Sequence, residues 1–433
     1  MDWFPVIVLF GSFFTMLLLS VPITFAVGIA SLLSLCVSMP MTPAISVIAQ
    51  KLTIGLDGFT LLAIPFFILA GNIMNTGGIA KRLVAFAQAL VGHLPGSLAH
   101  CNILANSLFG AISGSAVASA AAVGGIMAPL QEKEGYDPAY SAAVNITSSP
   151  AGLLIPPSNV MIVYALASGG VSVSALFLAG YVPGLLMAGM LMITAGIYAK
   201  RKKYPTSAKI PMMQILKIAI DAIPSLFLIV IIIGGILKGV FTPTEASAVA
   251  VVYTFILAVF VYKEVKLRDF PKILQETTVV SSIVLFLVGC SMGMSWAMVN
   301  ADVPYLIEQA LLSISDNPII ILLIINVILL IVGIFMDITP AILIFTPIFL
   351  PIVTSPSIGL DPIHFGIIMI FNLSIGLCTP PVGTVLFVGC SVGKTSIEKV
   401  MKPLIPLYIT LFIALILVTY IPAISMTLPN YFK

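Results

Sequence analysis

The sequence predicts an all-α polytopic membrane protein built from two internal repeats of inverted topology. Hydrophobic residues make up 60% of the 433 positions, only 8% are charged, and the mean hydropathy is +1.18. A soluble globular chain carries about 25% charged residues, so the composition excludes that class. Two proline motifs, Ile-Pro-Pro-Ser at 155–158 and Thr-Pro-Pro-Val at 379–382, interrupt apolar segments at matching places in the two halves.

Apolar segments long enough for membrane helices, which need about 20 residues, occur in both halves. We predict them in the first half at 3–20, 22–39, 59–75, 138–169 and 174–199. In the second half they lie at 212–238, 243–262, 273–297, 362–393 and 402–422. The fourth span of each half is expected to be broken by its proline motif, near 148–157 and near 376–383.

A further apolar stretch precedes each broken span, at about 97–131 and 317–353. Its middle is Gly-Ala-Ile-Ser-Gly-Ser in the first half and Gly-Ile-Phe-Met-Asp-Ile-Thr-Pro in the second. The arms on either side are about 15 residues long, which favours a re-entrant helical hairpin over two full crossings. Non-helical backbone at membrane depth is tolerated only where protein or a watery cavity surrounds it.

The two halves, 1–205 and 206–433, match at an offset near 224. Each proline motif has its first proline 19 residues after the aspartate of an Asp-Pro pair, and a glycine follows 12 residues after its second proline. Each half has five crossings, an odd number, so the second repeat must be inverted. A repeated pair of interrupted helices is typical of secondary transporters, which bind their substrate at the repeat interface.

The basic residues predict the orientation of the spans. Of the 19 Lys and Arg residues, 16 fall on one side, including Lys209; only Lys51, Lys238 and Lys433 fall on the other. The positive-inside rule makes the rich side cytoplasmic, so both termini are expected to be periplasmic. The first hairpin then enters from the cytoplasm and the second from the periplasm. The net charge of +3 reflects this sidedness, and no nucleic-acid partner is expected.

Small polar residues surround both breaks. A break frees backbone groups, and the positive N-terminus of a half-helix suits a carboxylate whereas freed carbonyls suit Na⁺. Oxygen ligands without paired His or Cys favour Na⁺ over zinc or copper. The alternative is that these side chains only hydrogen-bond between helices. The residues are Asn145, Thr147, Ser148, Ser149, Gly152, Ser158 and Asn159 at the first break, and Asn372, Ser374, Gly376, Thr379, Gly383 and Thr384 at the second.

Asp337 lies in the middle of the second hairpin, between two hydrophobic runs. An acid inside the membrane is costly and indicates a functional site. Two interpretations remain open: cation coordination, or capping of the helix that begins near Thr339. Glu245 ends Thr-Pro-Thr-Glu, which predicts a helix capping box. His100 and His364 are expected to be packing or capping residues, His93 an ordinary loop residue, and the five cysteines packed thiols. The absence of an HExxH motif and of paired intramembrane acids argues against a hydrolase.

The chain resembles the large membrane (M) subunit of tripartite ATP-independent periplasmic (TRAP) transporters and, more loosely, ion transporters with the same hairpin-and-broken-helix fold. The likeness covers essentially the whole chain. It is carried by Ala63-Ile-Pro-Phe-Phe67, Ala70-Gly-Asn72, Asn106-Ser-Leu-Phe-Gly110, Ser113-Gly-Ser115, Ile155-Pro-Pro-Ser158, Phe241-Thr-Pro-Thr-Glu-Ala246 and Thr379-Pro-Pro-Val-Gly383.

The resemblance implies a Na⁺-coupled importer of organic acids, such as sialic acid or C4-dicarboxylates, in the bacterial inner membrane. It implies an elevator motion of a hairpin-containing domain, a small membrane subunit of about four helices, and a periplasmic substrate-binding protein. It does not imply an enzyme. The alternative is a stand-alone Na⁺/dicarboxylate symporter that needs no partner.

The resemblance also implies two or more Na⁺ sites. One is expected between the second hairpin and the second break, at Gly333, Gly376, Thr379 and Val382, with Asp337. The internal offset nominates a counterpart at Gly110, Gly152, Ile155 and Ser158, with Ser113 and Ser115. The candidate substrate contacts are Asn106, Ser148, Ser149, Pro157, Asn159, Asn372, Pro381 and Thr384.

Overall fold

The computed structural model describes residues 3–205 and 211–432, so Lys209, Lys433 and the start of the second predicted repeat lie outside the described residues. Over these ranges the chain forms 21 α-helices with short 3₁₀ and π segments, and no β-strand. The prediction of an all-α chain is therefore confirmed.

The first half contains eleven helices. They are α1 (Phe4–Leu18), α2 (Ile23–Ser38), α3 (Met41–Leu56), α4 (Ala63–Thr76), α5 (Ile79–Val91), α6 (Ser97–Ser113), α7 (Ala116–Lys133), α8 (Pro138–Ser148), α9 (Ala151–Leu154), α10 (Asn159–Ala167) and α11 (Val173–Lys202).

The described part of the second half contains ten helices. They are α12 (Met212–Leu237), α13 (Pro243–Ile256), α14 (Phe270–Asn300), α15 (Val303–Ile314), α16 (Pro318–Phe335), α17 (Ile338–Val353), α18 (Pro362–Gly376), α19 (Thr384–Val392), α20 (Ile397–Tyr420) and α21 (Ala423–Tyr431).

Seven helical segments in the described ranges are long and apolar enough to cross a membrane. The pair formed by Pro138–Leu154 and Asn159–Ala167 adds an eighth span, bent by 54°. The chain is therefore a multi-pass membrane protein with a broken helix, as the sequence predicted. The first two predicted spans form helices of only 15 and 16 residues, so their crossing stays a prediction.

Four helices were not predicted from the sequence: α3, α5, α15 and α21. Helix α3 packs along α14, where a Cβ on Gly289 would lie 2.8 Å from Leu52 Cδ2 and one on Gly293 would lie 3.2 Å from Ile48 Cδ1. The glycines thus let the two helices approach closely. Thr, Gln and Lys interrupt the apolar run of α3, so it gave no membrane-span signal.

The two halves exchange contacts in a reciprocal way. Helix α4 packs against α13, and α2 packs against α14, so the second span of each half contacts the third span of the other. The short helices α5 and α15 both begin after a residue with positive φ, Gly78 at 68° and Asp302 at 51°. This reciprocity is what two related repeats would produce; the repeats and their inverted orientation stay predictions.

The two hairpins are present as helix pairs, but the expected arm length of about 15 residues was wrong. The arms α6, α7, α16 and α17 have 17, 18, 18 and 16 residues. Arm length therefore does not separate hairpins from full crossings, whereas the position of the turn does. Gly114, in the first turn, lies against Asn159, the first residue of α10, and α10 continues for eight residues beyond Asn159. The first hairpin therefore turns back part-way along the broken helix.

Candidate functional site

A cavity of about 260 Å³ lies where the turns of both hairpins converge. Residues 113–118 of the first hairpin and 337–339 of the second line it, together with the start of α10. Helices α4 and α14 close the opposite wall, and Leu377 at the second break also reaches it. The cavity therefore brings together the hairpins and broken helices that the sequence singled out.

The polar lining of this cavity contains one acid and no Lys or Arg among the described residues. Its amide and hydroxyl groups can donate hydrogen bonds to a carboxylate or offer oxygen atoms to a cation. The polar residues are Asn72, Asn75, Ser113, Ser115, Asn159, Asp337 and Thr339.

Three helices begin at the cavity: α7, α10 and α17. The first turn of a helix leaves backbone N–H groups without partners, and its end carries a partial positive charge. Ser115 accepts a hydrogen bond from the Ala118 amide at 3.2 Å and so caps α7. Ser158 and Asp337 stand at the N-caps of α10 and α17 without side-chain capping bonds. An anion in the cavity would therefore meet several oriented donors.

Asp337 is exposed at the turn of the second hairpin and lines the cavity. The Ile338 amide interacts with its carboxylate, but without the geometry of a capping hydrogen bond. The contact with the Ile338 amide at the start of α17 supports capping, and the carboxylate that faces open space supports cation coordination, so both interpretations stay predictions.

Each hairpin touches its broken helix through a pair of glycines. A Cβ on Gly152 would lie 2.3 Å from the Cα of Gly110, and one on Gly376 would lie 2.6 Å from the Cα of Gly333. These positions admit only glycine without a shift of the backbone. Each glycine contact lies just before the break in the broken helix. It therefore holds the hairpin turn close to the point where that helix is interrupted.

The second break gathers backbone oxygen atoms. A Cβ on Gly383 would lie 2.7 Å from both the Leu377 and the Thr379 carbonyl oxygens, so these two carbonyls face the same point. The peptide bonds Pro156–Pro157 and Pro380–Pro381 are both cis. The two breaks differ in exposure, because 155–158 is buried whereas 381–382 is exposed.

Three buried oxygen atoms at the breaks have no protein hydrogen-bond partner. They are Ser158 Oγ at the first break, and Asn372 Oδ1 and Ser374 Oγ before the second. A buried polar atom without a partner costs about 1–3 kcal/mol, so such atoms call for another ligand. Hydroxyl, amide and carbonyl oxygens are a donor set that fits a hard cation such as Na⁺. No group of three His, Cys, Asp or Glu residues that could hold another metal occurs in the described ranges.

Several predicted substrate contacts are buried and do not line the cavity. Asn106 is fully buried, and its amide nitrogen faces Asn102 Oδ1 at 2.7 Å, Ser148 Oγ at 2.8 Å and Asn145 Oδ1 at 3.0 Å. Ser149 donates to the Asn145 carbonyl. Asn372 mirrors this arrangement, because it donates to Asn326 Oδ1 at 2.7 Å. Of the predicted substrate contacts, only Asn159 lines the cavity.

The other predicted positions occupy two different environments. Ile155, Pro157 and Ser158 are buried at the first break. Pro381, Val382 and Thr384 are exposed at the second break, outside the lining of the cavity. Thr379 donates to the Ile375 carbonyl at 2.9 Å. Their roles stay predictions.

Asn72 and Asn75, which bring amides from α4 to the cavity, were not predicted as site residues, although Asn72 belongs to one of the motifs that carry the resemblance. Asn72 donates to Thr277 Oγ1 on α14 at 2.9 Å. The neighbouring Gly71 lets α4 approach the hairpin turn, because a Cβ there would lie 2.9 Å from the Ser113 carbonyl oxygen. The available signal was a pair of amides in an otherwise apolar helix.

Two structural predictions outside the cavity are confirmed. Glu245 and Thr242 form the capping box of α13, with the Thr242 amide donating to Glu245 Oε2 at 2.8 Å. His364 Nδ1 lies 2.6 Å from Ser425 Oγ, and His364 Nε2 lies 3.3 Å from the Thr419 carbonyl oxygen. His364 therefore links α18 to the C-terminal helices. Four of the five cysteines are buried as free thiols and Cys36 is half-buried.

Comparison with known proteins identifies the family. The model of the DctM component of tripartite ATP-independent periplasmic transporters matches residues 10–424. The uncharacterized protein YgiK of Salmonella typhimurium is 66% identical over 429 residues, which cover 99% of this chain and 98% of the relative. The C4-dicarboxylate TRAP transporter large permease DctM of Rhodobacter capsulatus is 38% identical over 98% of both chains.

Two further similarities agree with this result. The sialic acid TRAP transporter large permease SiaM of Vibrio cholerae is 39% identical over 89% of both chains. The crystal structure of the YdaH transporter of Alcanivorax borkumensis has the same overall fold, with a TM-score of 0.63 over 90% of both chains at 13% identity. The chain therefore belongs to the DctM component family of tripartite ATP-independent periplasmic transporters, which are transport proteins and not enzymes.

Proposed function

We propose that this chain is the large transmembrane subunit of a Na⁺-coupled secondary transporter that imports organic acids delivered by a periplasmic binding protein. The observation that carries the proposal is the convergence of three helix N-termini with amide and hydroxyl groups on one cavity of about 260 Å³. The described lining offers no Lys or Arg, so the oriented backbone donors supply the attraction for a carboxylate.

Na⁺ has two roles in this proposal. It binds oxygen atoms at the breaks, where Ser158, Asn372 and Ser374 carry buried oxygens without protein partners. It also balances negative charge, because a carboxylate substrate would otherwise share the cavity with Asp337 and no described cationic side chain. Like charges in a poorly solvated site repel strongly, so binding of the acid favours binding of the cation and the reverse.

The chemistry of the cavity and the names of the relatives both support an organic acid as the substrate. Relatives are named for C4-dicarboxylates and for sialic acid, and both substrates carry a carboxylate. Helix N-termini recognise that shared group and not the rest of the molecule, so the choice among organic acids falls to the delivering protein and to neutral contacts such as Asn72 and Asn159.

We further propose the remaining features of the family for this chain. The partners are a small membrane subunit of about four helices and a periplasmic binding protein, and the chain lies in the bacterial inner membrane with both termini periplasmic. Each hairpin is joined to its broken helix by a glycine contact, so the hairpins and broken helices form the unit that moves in an elevator motion against α2, α4, α13 and α14.

The test is uptake into proteoliposomes that contain this chain with its small subunit, supplied with candidate binding proteins loaded with labelled acid. We expect uptake to follow an inward Na⁺ gradient and to stop when choline replaces Na⁺. Uptake that is insensitive to the Na⁺ gradient would overturn the coupling. Equal uptake without the small subunit and the binding protein would identify a stand-alone symporter instead.

A further inference from the structure

A second, much smaller cavity of about 10 Å³ lies inside the protein, apart from the candidate site. Helices α6, α7 and α8 contribute Asn102, Gln131 and Ser141 to its wall. Helix α19 closes it with Gly389 and Gly393. The cavity therefore lies between both arms of the first hairpin and α8, the first half of the broken helix.

Three polar atoms on this wall have no protein partner: Asn102 Nδ2, Gln131 Oε1 and Ser141 Oγ. Their side chains are 0%, 0% and 4% exposed, so bulk solvent does not satisfy them. Leaving several buried polar atoms unpaired is costly, and their convergence on one small space indicates a shared ligand.

The orientation of the Gln131 amide is set by the backbone. Its nitrogen, Nε2, donates to the Leu98 carbonyl at 3.2 Å. A carbonyl oxygen only accepts, so the atom facing it must be the amide nitrogen. Gln131 therefore presents its oxygen, a hydrogen-bond acceptor, to the cavity.

The orientation of the Asn102 amide follows from a chain of hydrogen bonds that starts at the Ala120 carbonyl. Asn145 Nδ2 donates to that carbonyl at 2.9 Å, so Asn145 Oδ1 faces Asn106. The facing atom of Asn106 must then be its nitrogen, which also donates to Asn102 Oδ1 at 2.7 Å. Asn102 therefore presents its nitrogen, a donor, to the cavity.

These atoms decide the chemical class of the ligand. It must accept from Asn102, donate to Gln131, and pair with the Ser141 hydroxyl, which can do either. A cation would face the N–H of Asn102, so the geometry excludes Na⁺. A volume of about 10 Å³ holds one water, and buried waters usually make about three hydrogen bonds. We propose that one ordered water molecule binds between Asn102, Gln131 and Ser141.

This water extends the polar network of Asn106 to the base of the first hairpin and links α6 and α7 to α8. The volume of about 10 Å³ excludes a larger ligand. The helices around it are closely packed, because a Cβ on Gly393 would lie 2.8 Å from Ala142 Cβ and one on Gly124 would lie 2.3 Å from Asn145 Nδ2. The water thus stabilises the hairpin against the broken helix, and its binding does not depend on the proposed substrate or on Na⁺.

A high-resolution map of the wild-type protein in lipid nanodiscs tests the proposal directly. We expect one peak within about 2.7–3.2 Å of all three atoms. The peak should persist when choline replaces Na⁺ and disappear in Gln131→Met. A map that resolves comparable buried waters but shows no peak here, or a peak that requires Na⁺, would overturn the proposal.

Thermal unfolding gives a second test. Ser141→Ala is expected to lower the melting temperature more than Ser107→Ala, whose buried hydroxyl donates only to Ile103 within α6. Once Gln131→Met has displaced the water, adding Ser141→Ala should lower the melting temperature by less than Ser141→Ala does alone. Strictly additive shifts would mean that no ligand joins the two side chains and would contradict the proposal.

Discussion

Asp337 provides the only carboxylate among the described residues that line the candidate cavity. It stands at the turn of the second hairpin, where it makes no capping hydrogen bond. A carboxylate that is exposed to a cavity at membrane depth is costly unless a cation accompanies it. This single residue therefore connects the fold of the hairpin to the proposed coupling.

Asp337→Asn should weaken Na⁺ activation of uptake without comparable loss of stability. The amide keeps the size of the side chain but loses its charge, so the Na⁺ concentration for half-maximal uptake should rise at least about tenfold, which corresponds to about 1.4 kcal/mol. The measurement is initial uptake in proteoliposomes over a range of Na⁺ concentrations, with thermal unfolding of the same preparation.

Asp302→Asn is the matched control, because Asp302 is an exposed acid outside the cavity lining. It should leave Na⁺ activation unchanged. Unchanged Na⁺ activation in Asp337→Asn would mean that Asp337 has a purely structural role.

At the residue scale, the sequence allowed us to predict a site residue where its side chain differs chemically from its neighbours. Asp337 was recognisable because an acid interrupts two hydrophobic runs. Asn72 and Asn75 were not, because single amides in membrane helices also serve ordinary helix packing. The burial of Asn106 could not be predicted either, since only the three-dimensional packing shows that its neighbours are Asn102, Asn145 and Ser148.

The glycine contacts between hairpins and broken helices belong to the scale of elements. Gly333 and Gly376 bring α16 and α18 together just before the second break. The same relation holds for Gly110 and Gly152 between α6 and α9. Such backbone contact at small residues is a general way for membrane helices to associate closely.

Gly376→Ala should destabilise the protein, because its Cβ would lie 2.5 Å from the Gly333 carbonyl carbon. Neither backbone can yield as a flexible side chain can, and overpacking of this kind costs roughly 1–3 kcal/mol. We expect a lower melting temperature of the purified chain in detergent, together with loss of uptake.

Gly234→Ala in α12 is the control, since a Cβ there meets nothing within 4 Å. An alanine in place of a helical glycine should be neutral or stabilising by up to about 1 kcal/mol. A Gly376→Ala protein as stable as Gly234→Ala would refute the close contact.

Elements with strong local signals were predicted correctly, and amphipathic ones were missed. The capping box at 242–245 and the Asp-Pro starts of α8 and α18 are local patterns, and all three open helices in the structure. Helices α3 and α21 contain polar residues and are held by packing against α14 and α11. Hydropathy along the chain does not reveal such partners.

The reciprocal packing of α2 on α14 and α4 on α13 belongs to the scale of the whole molecule. The two halves exchange equivalent contacts here, which is what the predicted repeats would produce. The matching prolines led us to predict a repeat, but they could not predict which helices of the two halves would meet.

The predicted orientation can be tested with reporter fusions. Alkaline phosphatase fused after Gly170 or at the C-terminus should be active, because both sites are expected to be periplasmic. A fusion after Lys203 should be inactive, since that site follows a cluster of basic residues at the end of α11. The opposite pattern of activities would invert the topology and with it the direction of transport.

The central claim is that an organic acid binds in the cavity between the hairpin turns while Na⁺ binds beside it at the breaks. The most direct test is the rate of thiol labelling of Asn75→Cys in a Cys36→Ala background, with Ser313→Cys, an exposed position outside the cavity, as control. We predict that Na⁺ together with the transported acid slows labelling of Asn75→Cys several-fold more than either alone and leaves the control unchanged. Equal labelling rates with and without both ligands would contradict the account.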